Sequence, residues 1–127
     1  MEIKYIDIHS HLGFGDYQKD FADVVKRMQD AGVATITVGT DLKSSIEAVK
    51  IATENENVWA CIGAHPHDDQ TFIFEAKDFE ELVKNPKVVA IGECGLDYFR
   101  LTENIESEKA RQKTEFIKQI EFAIKYD

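Results

Sequence analysis

A fold of parallel α/β units is what the sequence predicts, on three observations. Short runs of consecutive apolar, β-rich residues recur four times, each run is followed by apolar residues at helical spacing, and the two prolines, Pro66 and Pro86, fall between the patterned segments. Strands that are apolar on successive positions are covered on both faces, and right-handed crossovers join such strands in parallel. Four βα units fit either a small doubly wound sheet or half of an eightfold barrel, and periodicity does not separate the two.

The elements follow in order. Tyr5 to His9 is strand-like and leads into a glycine-containing loop, Gly13 to Tyr17. From Asp20, apolar residues at Phe21, Val24, Val25, Met28 and Ala31 form one face of an amphipathic helix, and Gly32 is placed to end it in a left-handed conformation. Val33 to Val38 reads as a second strand. Asp41 to Asn55 reads as a helix with Ile46, Val49 and Ala52 inward, capped by Thr40 or Asp41. Val58 to Ile62 is a third strand, and a longer loop runs from Gly63 to about Phe74. Phe79, Leu82 and Val83 mark a short helix, and Val88 to Ile91 a fourth strand ending in Gly92-Glu93. Ile105 to Tyr126 is a long helix whose buried stripe is expected to be Phe116, Ile117, Ile120, Ala123 and Ile124.

The chain has 127 residues, 43% apolar and 31% charged, which describes one globular domain or part of one. Its apolar runs fall far short of the roughly 20 residues that span a bilayer, and no basic-then-apolar leader opens it. A soluble, cytoplasmic chain with no membrane partner is therefore expected. Against 24 acidic residues stand 15 basic ones, a net charge of −9. That balance disfavours sequence-independent adhesion to phosphate backbones, so a nucleic-acid substrate would need bound metal to supply local positive charge. Cys61 and Cys94 belong to no CxxC pair and read as reduced thiols.

In either architecture, active sites form where parallel strands end. The first strand ends Asp7-Ile8-His9-Ser10-His11, where alternation puts Asp7, His9 and His11 on one face. Two imidazoles at i and i+2 can share one divalent metal, with Asp7 as an acceptor that fixes a tautomer; the alternative is two polar histidines in a wet loop. The second strand ends Val38-Gly39-Thr40-Asp41, with a helix cap and no catalytic role. The third ends Gly63-Ala64-His65-Pro66-His67, where Pro66 makes a loop. His65, nearer the strand end, is the candidate for substrate contact, and His67 reads as a solvated residue. The fourth ends Gly92-Glu93-Cys94-Gly95, a carboxylate between glycines that permit close backbone approach. Glu93 can coordinate one metal or bridge two; its alternative is a solvated turn residue, and the two histidines favour the metal.

Taken together, His9-Ser10-His11, Gly63-Ala64-His65-Pro66-His67, Ile91-Gly92-Glu93-Cys94-Gly95-Leu96-Asp97-Tyr98 and the run Arg111-Gln112 through Phe116 and Gln119 resemble, in order and spacing, the TatD-type metal-dependent deoxyribonucleases of the amidohydrolase-like barrel group. The resemblance covers the whole chain. It implies a TIM-like barrel that hydrolyses phosphodiester bonds, often in DNA, using one or two divalent ions, with Zn, Mn and Mg all admissible. Carried over by position, it implies that His9 and His11 hold one metal and that Glu93 bridges to a second. His65 then faces the substrate, and Asp97, Tyr98 and Arg100 lie on the loop near its phosphate. Arg100 suits a bidentate phosphate contact but reads equally as a solvated surface residue, and Tyr98 reads more readily as a packed aromatic than as a proton donor.

The family runs to about twice this length, near the roughly 250 residues of such barrels, with two more His ligands and a catalytic Asp on later strands. Residues 1–127 are therefore expected to form the first four units of the barrel, its N-terminal half, without a general base. Open sheet edges should invite self-association or the C-terminal half. The rival reading is a catalytically incompetent metal-binding or assembly module, and a C–N-cleaving amidohydrolase is disfavoured by the Gly-Glu-Cys-Gly-Leu-Asp run. The structural expectation is four parallel strands in sequence order, with His9, His11 and Glu93 gathered at their carboxyl ends.

Overall fold

The structure, a computed structural model, describes residues 2–66, 73–99 and 101–127. Strand β1 (Tyr5–Ser10) leads through a 3-10 turn (Gly15–Tyr17) into helix α1 (Phe21–Ala31). Then follow β2 (Val33–Val38), α2 (Leu42–Glu54), β3 (Val58–Ile62), α3 (Ala76–Val83), β4 (Val88–Ile91) and α4 (Ile105–Lys125). Local chemistry sets the boundaries. Gly32 ends α1 at φ 70°, the left-handed cap that a side chain would strain. Asp41 starts α2 through a capping box: its carboxylate accepts the Ser44 N–H at 2.7 Å, and the Ser44 hydroxyl accepts the Asp41 N–H at 3.0 Å.

All four strands are parallel, in the order β1-β2-β3-β4. This order separates the two architectures that periodicity leaves open. A doubly wound sheet reverses direction at a switch point and takes helices on both faces, whereas sequential right-handed crossovers place every helix on one face, as in a barrel wall. The β2–β3 ladder runs in regular register from Thr35/Val58 to Val38/Cys61. The two outer ladders do not. In β1 the step from Asp7 to Ser10 faces only Thr35 to Thr37, and in β4 the step from Val88 to Ala90 faces only Ala60 to Cys61, so each outer strand carries one extra residue.

The core lies between the sheet and its helices. Val58, Ala60 and Ile62 of β3 pack with Ala48, Ile51 and Ala52 of α2, and with Phe79 and Phe122. Phe74 stacks on Phe79 and meets Phe122 edge-on.

Two helix faces depart from expectation. In α2, Val49 and Ala52 are buried but Ile46 is half exposed. In α4 the apolar stripe is not the buried one: Ile117, Ile120 and Ile124 are exposed, while Glu108, Gln112, Gln119 and Phe122 are buried. The reason is what α4 covers. Over much of its length it faces loops that follow β3 and β4, and loop backbone groups need hydrogen-bond partners rather than methyl groups. Among the described residues no helix is long and apolar enough to cross a membrane.

Candidate metal centre

The first ligand segment is turned over the end of β2 by side-chain contacts to that strand. The Thr35 hydroxyl donates to Ser10 Oγ at 2.8 Å, and the Leu12 N–H donates to Thr37 Oγ1 at 3.1 Å. His11 Nδ1 lies 2.9 Å from the carbonyl oxygen of Val38. A carbonyl can only accept, so Nδ1 carries the proton and Nε2 presents its lone pair. The extra residue in β1 breaks strict alternation between Asp7 and Ser10. As a result Asp7 does not serve an imidazole as expected: its carboxylate accepts the backbone N–H of His9 at 2.9 Å. The tautomer of His11 is set instead by a main-chain group, which residue types alone do not reveal. Phe14 stacks on the His11 ring at 4.5 Å and further limits its rotation.

Glu93 enters from the opposite edge of the site. Its N–H donates to the carbonyl of Gly39 at 2.9 Å, and the Gly92 N–H donates to that of Ile62 at 2.8 Å, so the ends of β2, β3 and β4 are tied together. Gly63 makes this approach feasible. A Cβ there would sit 2.7 Å from the carbonyl carbon of Gly92, closer than packed atoms come.

The three predicted ligands converge. Glu93 Oε2 is 3.2 Å from His9 Nε2 and 3.7 Å from His11 Nε2, and the two imidazole nitrogens are 3.2 Å apart. His9, His11 and Glu93 thus form a cluster able to hold a metal ion. The spacing fits the group: donors bonded at about 2.0–2.1 Å around a tetrahedral ion stand roughly 3.3 Å from one another. Two neutral imidazoles and one carboxylate also suit a borderline divalent cation.

The other oxygen of Glu93 points elsewhere. Oε1 lies 3.6 Å from His65 Nε2, which is in turn 3.6 Å from Asp97 Oδ2. The second carboxylate oxygen of Asp97 accepts the Phe99 N–H at 2.9 Å, which holds the loop in a tight turn. Of the expected substrate-side residues, His65 and Asp97 therefore adjoin the cluster. Tyr98 is turned to α4, where Lys109 Nζ sits 5.6 Å from its ring centre. Arg100, like His67, lies outside the described residues.

The two cysteines are close to the site and chemically quiet. Burial pushes the Cys61 thiol up to about 12, and burial followed by the charge of Glu93 raises that of Cys94, so both stay protonated at neutral pH. Sequence reasoning assigned no role to two buried amides, Gln112 and Gln119, which grip the loops behind Asp97 and His65. Their signal was available as the spacing Glu108, Gln112, Glu115, Gln119, Phe122, a single helical face.

The family described as TatD related DNase matches residues 6–127. The 3'-5' ssDNA/RNA exonuclease TatD of Shigella flexneri serotype 5b is 38% identical over 119 residues, which cover 92% of this chain and 44% of that protein. Its counterpart in Escherichia coli strain K12 is 37% identical over the same length and the same shares. In three dimensions the chain is similar to a solved TatD homolog from Escherichia coli K12, with a TM-score of 0.78 and 26% identity, covering 97% of this chain and 48% of the other. The chain thus spans less than half the length of the curated relatives it matches.

Proposed function

The chain belongs to the TatD-related DNase family, and from that premise and the geometry of the cluster we propose that it is the N-terminal half of a metal-dependent phosphodiesterase barrel that hydrolyses nucleic acid. The observation that carries the proposal is the meeting of His9 Nε2, His11 Nε2 and Glu93 Oε2 at the carboxyl ends of β1 and β4. His9, His11 and Glu93 hold one divalent ion, with Zn or Mn best matched to the mixed nitrogen and oxygen donors and Mg admissible. A bound ion supplies an acidified water and positive charge against phosphoryl oxygens. Glu93 turns Oε1 away from His9 and His11 towards His65, and that oxygen is the proposed ligand for a second ion.

His65 and Asp97 stand on the substrate side. The His65 imidazole, 3.6 Å from a carboxylate oxygen of Glu93 and from one of Asp97, can donate to a phosphate oxygen, and Tyr98 and Arg100 are proposed as further substrate-binding residues of the loop. The relatives are named for action on single-stranded DNA and RNA, and a single-stranded polynucleotide is the substrate class proposed here. The open strand ends admit such a chain, and a protein of net charge −9 depends on the metal centre to attract it. The proposed setting is cytoplasmic.

Calorimetric titration with Mn2+ tests the reading. The chain should bind the ion, and Glu93→Gln, which keeps the shape and removes the charge, should weaken binding by about tenfold or more with unchanged circular dichroism. Absence of Mn2+ uptake by the unaltered chain, or equal affinity in the variant, would reduce Glu93 to a turn residue. With Mn2+ present, hydrolysis of a single-stranded oligonucleotide by this chain alone should be slight, because the general base is assigned to the other half.

A further inference from the structure

Helix α4 grips the loops beside the site through two buried amides. Gln112 Nε2 donates to the carbonyl of Asp97 at 2.6 Å, and Gln112 Oε1 accepts the Asp97 N–H at 2.9 Å. One step along the same face, Gln119 Nε2 donates to the carbonyl of Ala64 at 2.9 Å, and its Oε1 accepts the Ala64 N–H at 2.9 Å. Each primary amide closes a two-bond ring on a single loop residue, as an adjoining strand would. Both side chains are buried, and seven residues apart they complete about two turns and project the same way. Only glutamine meets the need: asparagine is a methylene short, and glutamate has no proton for the carbonyl.

The orientation of Gln112 is itself fixed. Its Nε2 also lies 3.3 Å from Glu108 Oε1, and Arg111 holds that carboxylate through Nε at 2.8 Å and Nη2 at 2.6 Å. Two acceptors on one side and a donor on the other leave one amide orientation.

What these rings hold is the substrate side alone. Asp97 carries a carboxylate 3.6 Å from His65, and Ala64 is the residue before His65. The metal-ligand side is built differently, by main-chain and hydroxyl contacts at strand ends: His11 to Val38, Leu12 to Thr37, and Glu93 to Gly39. His65 is itself tied to the end of β2, its N–H donating to the Thr40 carbonyl at 2.8 Å. We propose that Gln112 and Gln119 are positioning residues which clamp the backbones of Asp97 and Ala64 and so set His65 and Asp97 on the substrate side, adding a support from α4 to that strand-end contact. The proposal rests on the metal-centre reading above for what the pair faces, and on the amide geometry for how the pair is held.

Gln112→Met and Gln119→Met keep the shape and remove both bonds. In nuclear magnetic resonance of the metal-free chain, the Asp97 N–H should exchange with solvent about tenfold faster or more in Q112M, and the Ala64 N–H likewise in Q119M. The His65 ring resonances should move in both. Mn2+ affinity by calorimetry should fall by much less than in Glu93→Gln, since the strand-end contacts of His11 and Glu93 are untouched and His65 meets Glu93 at Oε1 rather than Oε2. Unmoved His65 resonances, or a loss of Mn2+ affinity as large as that of Glu93→Gln, would overturn the positioning role. Should a methionine variant not fold, the unaltered chain decides: the Nε2 protons of Gln112 and Gln119 must exchange about tenfold or more slowly than those of exposed Gln18, and equal exchange overturns the clamp. Failure of the unaltered chain to take up Mn2+ instead sinks the metal-centre reading and leaves the exchange results standing, so the two failures are told apart.

Discussion

Strand β3 buries Val58, Ala60 and Ile62 completely, whereas β1 leaves Tyr5, Ile6 and Ile8 between 61% and 73% exposed. Both runs are rich in apolar residues. The difference lies in their neighbours: β3 pairs with β2 and β4 and packs under α2 and α3, while β1 pairs with β2 alone. Regularity follows the same division, since the inner β2–β3 ladder is unbroken and both outer ladders contain an extra residue. Yet β1 and the end of β4 carry the ligands. Stability in this chain is concentrated at the centre of the sheet, and its chemistry sits at the two edges, where a local break can re-aim a side chain.

The largest test of this contrast is a matched pair of truncations. Ile62→Ala should cost about 2–5 kcal/mol in urea denaturation, the range for emptying a filled core site. At a protein concentration low enough to keep the chain monomeric, Ile8→Ala should stay within about 0.5 kcal/mol, as at other exposed positions. Similar costs at both positions would mean that β1 is covered in solution. That points to the second test. An exposed edge of this kind favours pairing with another chain, so light scattering over a concentration series should show association. Ile8→Asp should weaken association by about tenfold, or roughly 1.4 kcal/mol; a monomer at all concentrations would break the inference that the edges seek partners.

The smallest effect sharpens the inner side of the comparison. The Arg111 guanidinium holds the carboxyl of buried Glu108 below the usual carboxylate range. A carboxyl depressed on folding contributes stability that is complete above its unfolded value, near pH 4.3, and is lost as pH falls through the folded one. The stability gap between the unaltered chain and Glu108→Gln should therefore narrow on acidification, by up to about 1 kcal/mol. A gap that does not change with pH would remove Glu108 from the ionic support of α4.

Much of this was legible in the residues. Four apolar runs at short spacing, Gly32 after a helical face and Asp41-x-x-Ser44 before another determine where strands and helices begin and end, because propensity, capping and left-handed glycine act over a few residues. Likewise the ligand trio was named by its chemistry, since imidazoles and a carboxylate at strand ends can serve one ion wherever the strands curl together. What only the tertiary structure decided depends on neighbours distant in sequence. The strand order chose the barrel wall over the doubly wound sheet. A carbonyl from β2, not Asp7, fixed the tautomer of His11. And α4 turned its glutamines inward and Ile117, Ile120 and Ile124 outward, against its hydrophobic pattern, because the loops it covers present bare peptide groups, and an unpaired buried N–H or carbonyl costs more than an isoleucine left in water.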